Sequence, residues 1–190
     1  EPTTITEFPG GEEETSAEPP KPEEPEGSKI VLASDIHYLS KSLTDFGEGF
    51  THHVEHGDGK VVNYIWEITD AFIDAVISEK PDVVILSGDL TLNGEMQSHL
   101  EFAGRLAQIE EAGIPVIVIP GNHDINNSQA SQFAGAKALG AEYVRPEEFA
   151  EIYRDYGYDE AVSRDAASLS YVYQIDDYTR TLMLDTCQYE

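Results

Sequence analysis

The chain has 190 residues, of which 40% are hydrophobic, and its formal net charge is −26, from 11 Lys and Arg against 37 Asp and Glu. This length suffices for one domain with a hydrophobic core plus an appendage. A surface this acidic repels phosphate backbones and anionic membranes, so nucleic-acid binding through a basic face is not expected. Cys187 is the only cysteine, which excludes an internal disulfide and a cysteine-based zinc site. No stretch reaches the roughly 18 apolar residues of a membrane span.

Residues 1–28 differ in composition from the rest of the chain. They contain nine Glu and six Pro, but only Ile5 and Phe8 as sizeable apolar residues. Such a segment buries too little surface to offset its ordering entropy, so we predict a disordered, acidic, Pro-rich linker. The chain begins at Glu1, and an acidic tether is typical of what remains when a leader is removed. We therefore expect an extracellular or cell-surface protein, with a lipid tether through the removed leader. A cytoplasmic protein cut at an arbitrary boundary is the alternative.

The first half of the globular part predicts a β-α-β-α-β unit. Residues 29–34, 82–87 and 115–120 are short, rich in Val and Ile and apolar without alternation, which is typical of strands buried on both faces of a parallel sheet. Residues 64–80 and 96–112 have helical spacing of apolar residues, and Pro81 and Gly113 end these helices. The predicted core-facing residues are Ile65, Ile68, Phe72, Ile73, Val76 and Ile77 in the first helix, and Leu100, Ala103, Leu106 and Ile109 in the second.

The remaining segments are less regular. The predictions are a long Gly-containing connection at 38–60, a partly helical excursion at 125–141, a helix at 146–155, a loop at 157–167, and strands at 168–175 and 181–186. The last two strands form an antiparallel hairpin, in contrast to the parallel first half. Glu190 follows the last strand closely and leaves an open sheet edge, so we expect the polypeptide to be a fragment. The predicted domain covers residues 29–190.

Polar residues follow each of the three parallel strands. Those that can bind a metal or transfer a proton are Asp35 and His37, then Asp89, then Asn122, His123 and Asp124. Because ligands sit beyond the carboxyl ends of parallel strands, these side chains should converge on one rim of the sheet. Oxygen and nitrogen ligands without thiolate suit Mn, Fe, Zn or Co. The sequence therefore predicts a metal site at this rim.

The chemistry of the residue types suggests a role for each ligand. Asp35 and His37, two positions apart, can both face one ion, while the two oxygens of Asp89 can bridge two ions. Asn122 offers a neutral carbonyl oxygen. Two ions about 3.5–4 Å apart can activate a shared water and hold both the attacking and the leaving oxygen of a phosphoryl displacement.

His123 lies beside a predicted ligand and is expected to be free of the metal. It can then donate a proton to the leaving oxygen, and Asp124 can orient its imidazole and raise its basicity. Gly88 and Gly121 allow the backbone to turn sharply beside an ion.

Several further polar residues have weaker signals. His52, His53 and His56 are expected to be solvated loop histidines or lid residues that touch substrate, rather than ligands of a third metal. Asn126 and Asn127 are candidates to line the substrate cleft, although a plain loop role is favoured. Arg164 is expected to form a surface ion pair. The side chain of His99 is expected to be exposed. Asp185 is a weaker candidate to orient the residues of this rim without binding the metal itself.

The motifs Asp-x-His, Gly-Asp and Gly-Asn-His-Asp, in this order and each after an apolar strand, resemble those of the calcineurin-like metallophosphoesterase superfamily. The resemblance covers residues 29–186. It implies a four-layer α/β/β/α sandwich, here partial, and two divalent or trivalent metal ions. By this resemblance the metal ligands are Asp35, His37, Asp89 and Asn122, and the catalytic pair is His123 and Asp124.

The resemblance also implies a reaction. We expect hydrolysis of a small phosphomonoester or phosphodiester by in-line attack of a metal-bridging hydroxide. The family's second half supplies further histidines, but no histidine follows His123 in this chain. We therefore expect the fragment to be weakly active or inactive. The alternative is an exported, non-catalytic binding or scaffold module with a vestigial metal rim.

Overall fold

The computed structural model describes residues 27–57 and 59–188. The predicted linker at 1–28 therefore lies almost entirely outside the described residues. Its last residue, Ser28, is described and donates a hydrogen bond to the Asp176 carboxylate, which ties the start of the domain to the last hairpin. Within the described part of the chain, every helix is too short or too polar to cross a bilayer.

Eight strands and four α-helices are formed by the described residues. The strands are β1 (Ile30–Ala33), β2 (Val83–Leu86), β3 (Val116–Val118), β4 (Ser131–Ala134), β5 (Lys137–Gly140), β6 (Ser163–Arg164), β7 (Tyr171–Gln174) and β8 (Arg180–Met183). The helices are α1 (Glu48–His56), α2 (Ile65–Glu79), α3 (Met96–Glu111) and α4 (Pro146–Ile152), with short 3₁₀ helices at Lys41–Leu43 and Val62–Tyr64 and a π-helical turn at Arg154–Tyr158.

The first sheet confirms the predicted β-α-β-α-β unit. Its strands are parallel in the order β1-β2-β3, with Val31 beside Val84 and Val84 beside Val116. Helices α2 and α3 supply the two crossovers, and they pack against each other. The carboxyl ends of all three strands therefore meet at one edge, as the site prediction requires.

The prediction that all three strands are buried on both faces is wrong for β1. Strands β2 and β3 are mostly or fully buried, whereas Leu32 in β1 is 67% exposed and Ile30 is also exposed. The face of β1 that carries Ile30 and Leu32 has no covering layer among the described residues, whereas β3 at the other edge of the sheet is buried.

The helices form where the sequence predicts, but their buried faces are partly different. Leu100 is 50% exposed and Ile68 is exposed, whereas His99 and Phe102 are fully buried. The prediction of an exposed His99 is therefore wrong. The buried face of α3 differs from the face predicted from its apolar residues. The reason is that His99 and Ser98 form hydrogen bonds to the loops at the carboxyl edge of the sheet.

The connection at 38–60 contains a helix that the sequence analysis missed. Phe50 on α1 is buried and makes edge contacts with Phe46 and Phe133, while it also packs against Trp66. This aromatic cluster joins α1 to α2 and to strand β4. The helix is therefore stabilised by distant partners rather than by its own periodicity.

The predicted helical character of 125–141 is wrong. This segment forms an antiparallel hairpin, in which β4 pairs with β5 and Ala134 lies beside Lys137. Gly135 occupies the turn with a φ of 56°, and the Asp45 carboxylate accepts a hydrogen bond from its N–H at 2.7 Å. Phe133 is buried against the aromatic cluster, which fixes the hairpin on α1.

The predicted antiparallel hairpin near the end of the chain is confirmed. Strand β7 pairs with β8 and also with the short strand β6. This sheet packs on the first one through Tyr171, whose hydroxyl donates to the Val118 carbonyl at 2.7 Å. The result is a mixed α/β architecture that is consistent with part of an α/β/β/α sandwich.

Candidate metal centre

The loops after the three parallel strands are joined by backbone hydrogen bonds beyond the regular ladder. Asp35 N donates to Gly88 O at 3.0 Å, and His37 N donates to Asp89 O at 2.9 Å. These bonds hold the first two polar clusters side by side. The convergence predicted for them is therefore present in the structure.

Three predicted ligands adopt left-handed backbone conformations. The φ angles are 56° at Asp35, 52° at His37 and 50° at Asp89. Positive φ is uncommon for residues with a Cβ, and such residues cluster at functional sites where the surrounding structure holds them. The observation favours a site that uses these three side chains.

The backbones of Gly88 and Gly121 approach each other closely. A Cβ at Gly88, whose φ is 103°, would lie 2.8 Å from both the Cα and the N of Gly121. A side chain at either position would push apart the loops after β2 and β3. The two glycines therefore allow the Asp89 and Asn122 loops to share one rim, as their positions in the sequence suggest.

Asp35, His37 and Asp89 offer ligand atoms that all lie within 4.8 Å of one another. His37 Nε2 is 3.8 Å from Asp35 Oδ1 and 3.9 Å from Asp89 Oδ2. These distances are too long for hydrogen bonds. Two ligands that bind one ion at about 2.1 Å lie at most about 4.2 Å apart, so the two distances from His37 Nε2 fit a shared cation. The oxygen and nitrogen donors also fit Mn, Fe, Zn or Co.

The environment of His37 favours the neutral imidazole that a metal requires. Burial is the main factor that lowers its pKa, and the positive charge of Lys60 lowers it further. The Asp89 carboxylate acts in the opposite direction. A neutral imidazole is available to coordinate a cation without first losing a proton.

Asn122 lies between two residues that contact Asp89. Asp89 Oδ1 accepts a hydrogen bond from His123 N at 2.9 Å, and Gly121 packs against the same aspartate. The side chain of Asn122 is exposed. This places Asn122 on the predicted rim, and its role as a ligand stays a prediction.

His123 lies beside the predicted ligands, with its ring centroid 5.0 Å from that of His37. Its Nδ1 is 2.9 Å from the Leu92 carbonyl oxygen and 3.0 Å from Asn93 Oδ1. Because a carbonyl oxygen only accepts, Nδ1 carries the proton. In the neutral ring Nε2 is then the basic nitrogen, and in the cation it is the proton donor. Sequence reasoning missed Leu92 and Asn93, whose only signal is that they closely follow Gly88-Asp89.

The predicted contact between Asp124 and the His123 imidazole is wrong. The Asp124 carboxylate is fully buried and accepts hydrogen bonds from Leu90 N, Thr91 N and Gly121 N at 3.1, 2.9 and 2.8 Å. It also accepts one from the Thr91 hydroxyl at 3.0 Å. Burial raises its pKa to about 6, although the three N–H groups favour the charged form. Asp124 joins two loops instead of orienting a ring.

His99 forms a second layer behind Asp124. Its Nε2 lies 3.0 Å from the Asp124 carbonyl oxygen, and its Nδ1 lies 3.0 Å from the Tyr153 hydroxyl. The carbonyl requires a proton on Nε2, so the Tyr153 hydroxyl donates to Nδ1. Burial lowers the pKa of His99 to about 3, which keeps this ring neutral.

The other polar candidates lie elsewhere or have structural contacts. His52 and His56 stack on one exposed side of α1, and the His53 ring packs on Phe133. The Arg164 guanidinium lies over the Tyr158 ring, 5.2 Å from its centroid, in a cation–π contact, and its surface ion pair stays a prediction. Asp185 accepts hydrogen bonds from Leu169 N and Cys187 N.

The two asparagines after the Gly-Asn-His-Asp motif have backbone contacts. Asn127 Nδ2 donates to the His123 carbonyl at 3.1 Å, so this side chain braces the loop that carries His123. Asn126 has a φ of 51°, and its N–H donates to Val144 O at 2.8 Å. Their predicted part in the substrate cleft stays a prediction.

Comparison with known proteins agrees with this fold. The profile of the calcineurin-like phosphoesterase family matches residues 28–185. The chain therefore belongs to the calcineurin-like phosphoesterase family. A similar protein is a probable glycerophosphodiester phosphodiesterase, GpdQ, from Arcobacter nitrofigilis, which is 30% identical over 95 residues. That alignment covers 50% of this chain and 29% of the relative, so the chain matches less than a third of the relative's length.

Proposed function

We propose that this chain forms part of a metal-dependent phosphoesterase that hydrolyses a small phosphomonoester or phosphodiester. The observation that carries the proposal is the set of ligand atoms of Asp35, His37 and Asp89, which lie within 4.8 Å of one another. Family membership supports the same reaction class, and the name of the relative supports a diester substrate.

The chain's own residues would hold two metal ions. Asp35 and His37 would bind the first ion, Asp89 would bind both, and Asn122 would bind the second. When bound, the ions supply Lewis acidity toward the phosphoryl oxygens and lower the pKa of the attacking water. The oxygen and nitrogen donors suit Mn, Fe, Zn or Co.

His123 would transfer the proton that the leaving oxygen needs. The Leu92 carbonyl and Asn93 Oδ1 fix the proton on Nδ1, which leaves Nε2 to take up a proton and deliver it to the leaving group. The His123 backbone N–H also holds Asp89 Oδ1 at 2.9 Å, so proton donor and bridging ligand are positioned by the same loop.

Hydrolysis of chromogenic esters tests this proposal. The full-length protein, supplied with Mn²⁺, is expected to hydrolyse bis(p-nitrophenyl) phosphate or p-nitrophenyl phosphate. Asp89→Asn should lower kcat by about a hundredfold or more, because it removes a charged ligand that both ions share. The matched control is Asp74→Asn, which changes an exposed carboxylate on α2.

Two results would contradict the proposal. One is the absence of hydrolysis of both esters by metal-loaded wild-type protein, which favours the non-catalytic binding module. The other is unchanged turnover in Asp89→Asn.

A further inference from the structure

A small cavity opens beside the predicted metal ligands. Its volume is about 150 Å³, and the residues that line it include Asp35, His37, Lys60 and Val61. Small-molecule pockets usually have volumes of roughly 300 Å³ or more, so this cavity suits one small group of a substrate rather than a whole one. A basic side chain thus shares a cavity with two predicted ligands.

The backbone that carries Lys60 is fixed by the core. Val62 and Ile65 follow it in the chain and are both buried, and the 3₁₀ helix Val62–Tyr64 leads directly into α2. Gly59 precedes Lys60 with a φ of 90°, a conformation that suits glycine at a turn. Lys60 is half-buried at the start of this fixed segment. Its position beside the ligands therefore follows from the fold.

Lys60 places a positive charge beside the predicted metal ligands. It lines the same cavity as Asp35 and His37. Basic residues are rare in this chain, with 11 Lys and Arg against 37 Asp and Glu. An ammonium group beside carboxylate ligands makes the rim more attractive to an anion, and it does so next to the place where the ions would bind.

We propose that Lys60 is a specificity-determining residue that binds a non-bridging oxygen of the substrate's phosphoryl group. This inference rests on the proposed phosphoesterase function. The lysine stem is flexible and its ammonium offers three donors, so it can follow a tetrahedral oxyanion bound to the metals. A monoester or free phosphate carries more negative charge than a diester, so the contact favours the monoester and the phosphate ion.

Variants of Lys60 test this role in the metal-loaded, full-length protein. Lys60→Gln should raise KM for p-nitrophenyl phosphate by about tenfold, because a charge-assisted hydrogen bond is lost. The rise for bis(p-nitrophenyl) phosphate should be smaller. Lys60→Arg should restore most of the affinity, and Lys137→Gln, which changes an exposed lysine of β5, is the matched control.

Calorimetry with inorganic phosphate gives a second readout that needs no turnover. Lys60→Gln should weaken phosphate binding by about tenfold while its metal content stays that of the wild type. Unchanged phosphate affinity would overturn the inference, as would an equal loss of affinity in Lys137→Gln. A loss of bound metal with normal phosphate affinity would also overturn it, since Lys60 would then serve the ligands alone. If the wild type hydrolyses neither ester, the proposed function fails, and phosphate calorimetry still decides the role of Lys60.

Discussion

Asp124 illustrates how one side chain positions a whole site. Its two oxygens accept hydrogen bonds from two backbone N–H groups after β2 and from one after β3. The same two loops carry Asp89 and His123, so the spacing between the predicted bridging ligand and the predicted proton donor depends on Asp124. The buried carboxylate is therefore a structural part of the centre.

Asp124→Asn is expected to destabilise the fold. Oδ1 accepts from Thr91 N and the Thr91 hydroxyl, while Oδ2 accepts from Leu90 N and Gly121 N. In either orientation an asparagine NH₂ faces backbone donors and leaves them unpaired. The free energy of unfolding at pH 7 should fall by about 2 kcal/mol or more in urea titration. Equal stability of Asp124→Asn and the exposed control Asp74→Asn would contradict this role.

Some residues and contacts of the site could be predicted from the sequence, and others could not. The proximity of Asp35, His37 and Asp89 was predictable because each follows the carboxyl end of a parallel strand, and the structure brings all three together. The acceptors of the His123 ring were not identifiable, because one is a backbone carbonyl that has no sequence signal. The same limit explains Asp124, whose partners are mostly backbone N–H groups.

At the scale of elements, His99 connects α3 to the end of α4 and to the loop after β3. Its ring contacts the Tyr153 hydroxyl on one side and the Asp124 carbonyl on the other. The carbonyl contact requires a proton on Nε2, and in the neutral ring Nδ1 then accepts from the Tyr153 hydroxyl. Burial disfavours the charged ring, so the stability of this part of the fold depends on the charge state of His99.

This dependence predicts a pH effect on stability. The pKa of His99 is lowered to about 3 in the folded protein, below its value of 6.5 when exposed, so the unfolded chain binds more protons between these values. The contribution of neutral His99 to the free energy of unfolding is complete above pH 6.5. It is lost as the pH falls toward 3, by about 1.4 kcal/mol per pH unit. The Asp124 carboxyl has the opposite effect below pH 6. Because its pKa is raised to about 6, its contribution to the free energy of unfolding increases as the pH falls.

The two effects can be separated by comparing variants. The stability difference between wild type and His99→Gln should shrink by about 1.4 kcal/mol for each pH unit between 6 and 4, because the glutamine side chain does not titrate. Urea unfolding at several pH values measures it, with His52→Gln on the exposed side of α1 as control. A pH-independent difference would contradict the neutral assignment of His99.

The helices and strands that local sequence patterns specify were predictable. Those that depend on contacts between distant parts of the chain were not. Helices α2 and α3 and the hairpin of β7 with β8 follow from spacing and turn residues. Helix α1 and the hairpin of β4 with β5 depend on each other, through the contact of Phe50 with Phe133. Neither segment has a strong pattern alone, so each is specified only once the other is in place.

At the scale of the whole molecule, two sheets place the polar clusters at a common edge. The predicted ligands follow the strands of the parallel sheet, and the second sheet packs on it through Tyr171. The sequence indicated this architecture through its strand-motif order. The sequence could not indicate that Ile30 and Leu32 of β1 are exposed. An apolar strand has the same sequence pattern whether or not a further layer covers it.

The central claim is that Asp35, His37 and Asp89 hold metal, and elemental analysis of the purified full-length protein tests it most directly. After loading with Mn²⁺ and removal of free ions, wild type and Asp74→Asn should retain the same metal content. Asp89→Asn should lose most of it, since Asp89 is the ligand proposed to serve both ions. Equal metal content in wild type and Asp89→Asn would contradict the account.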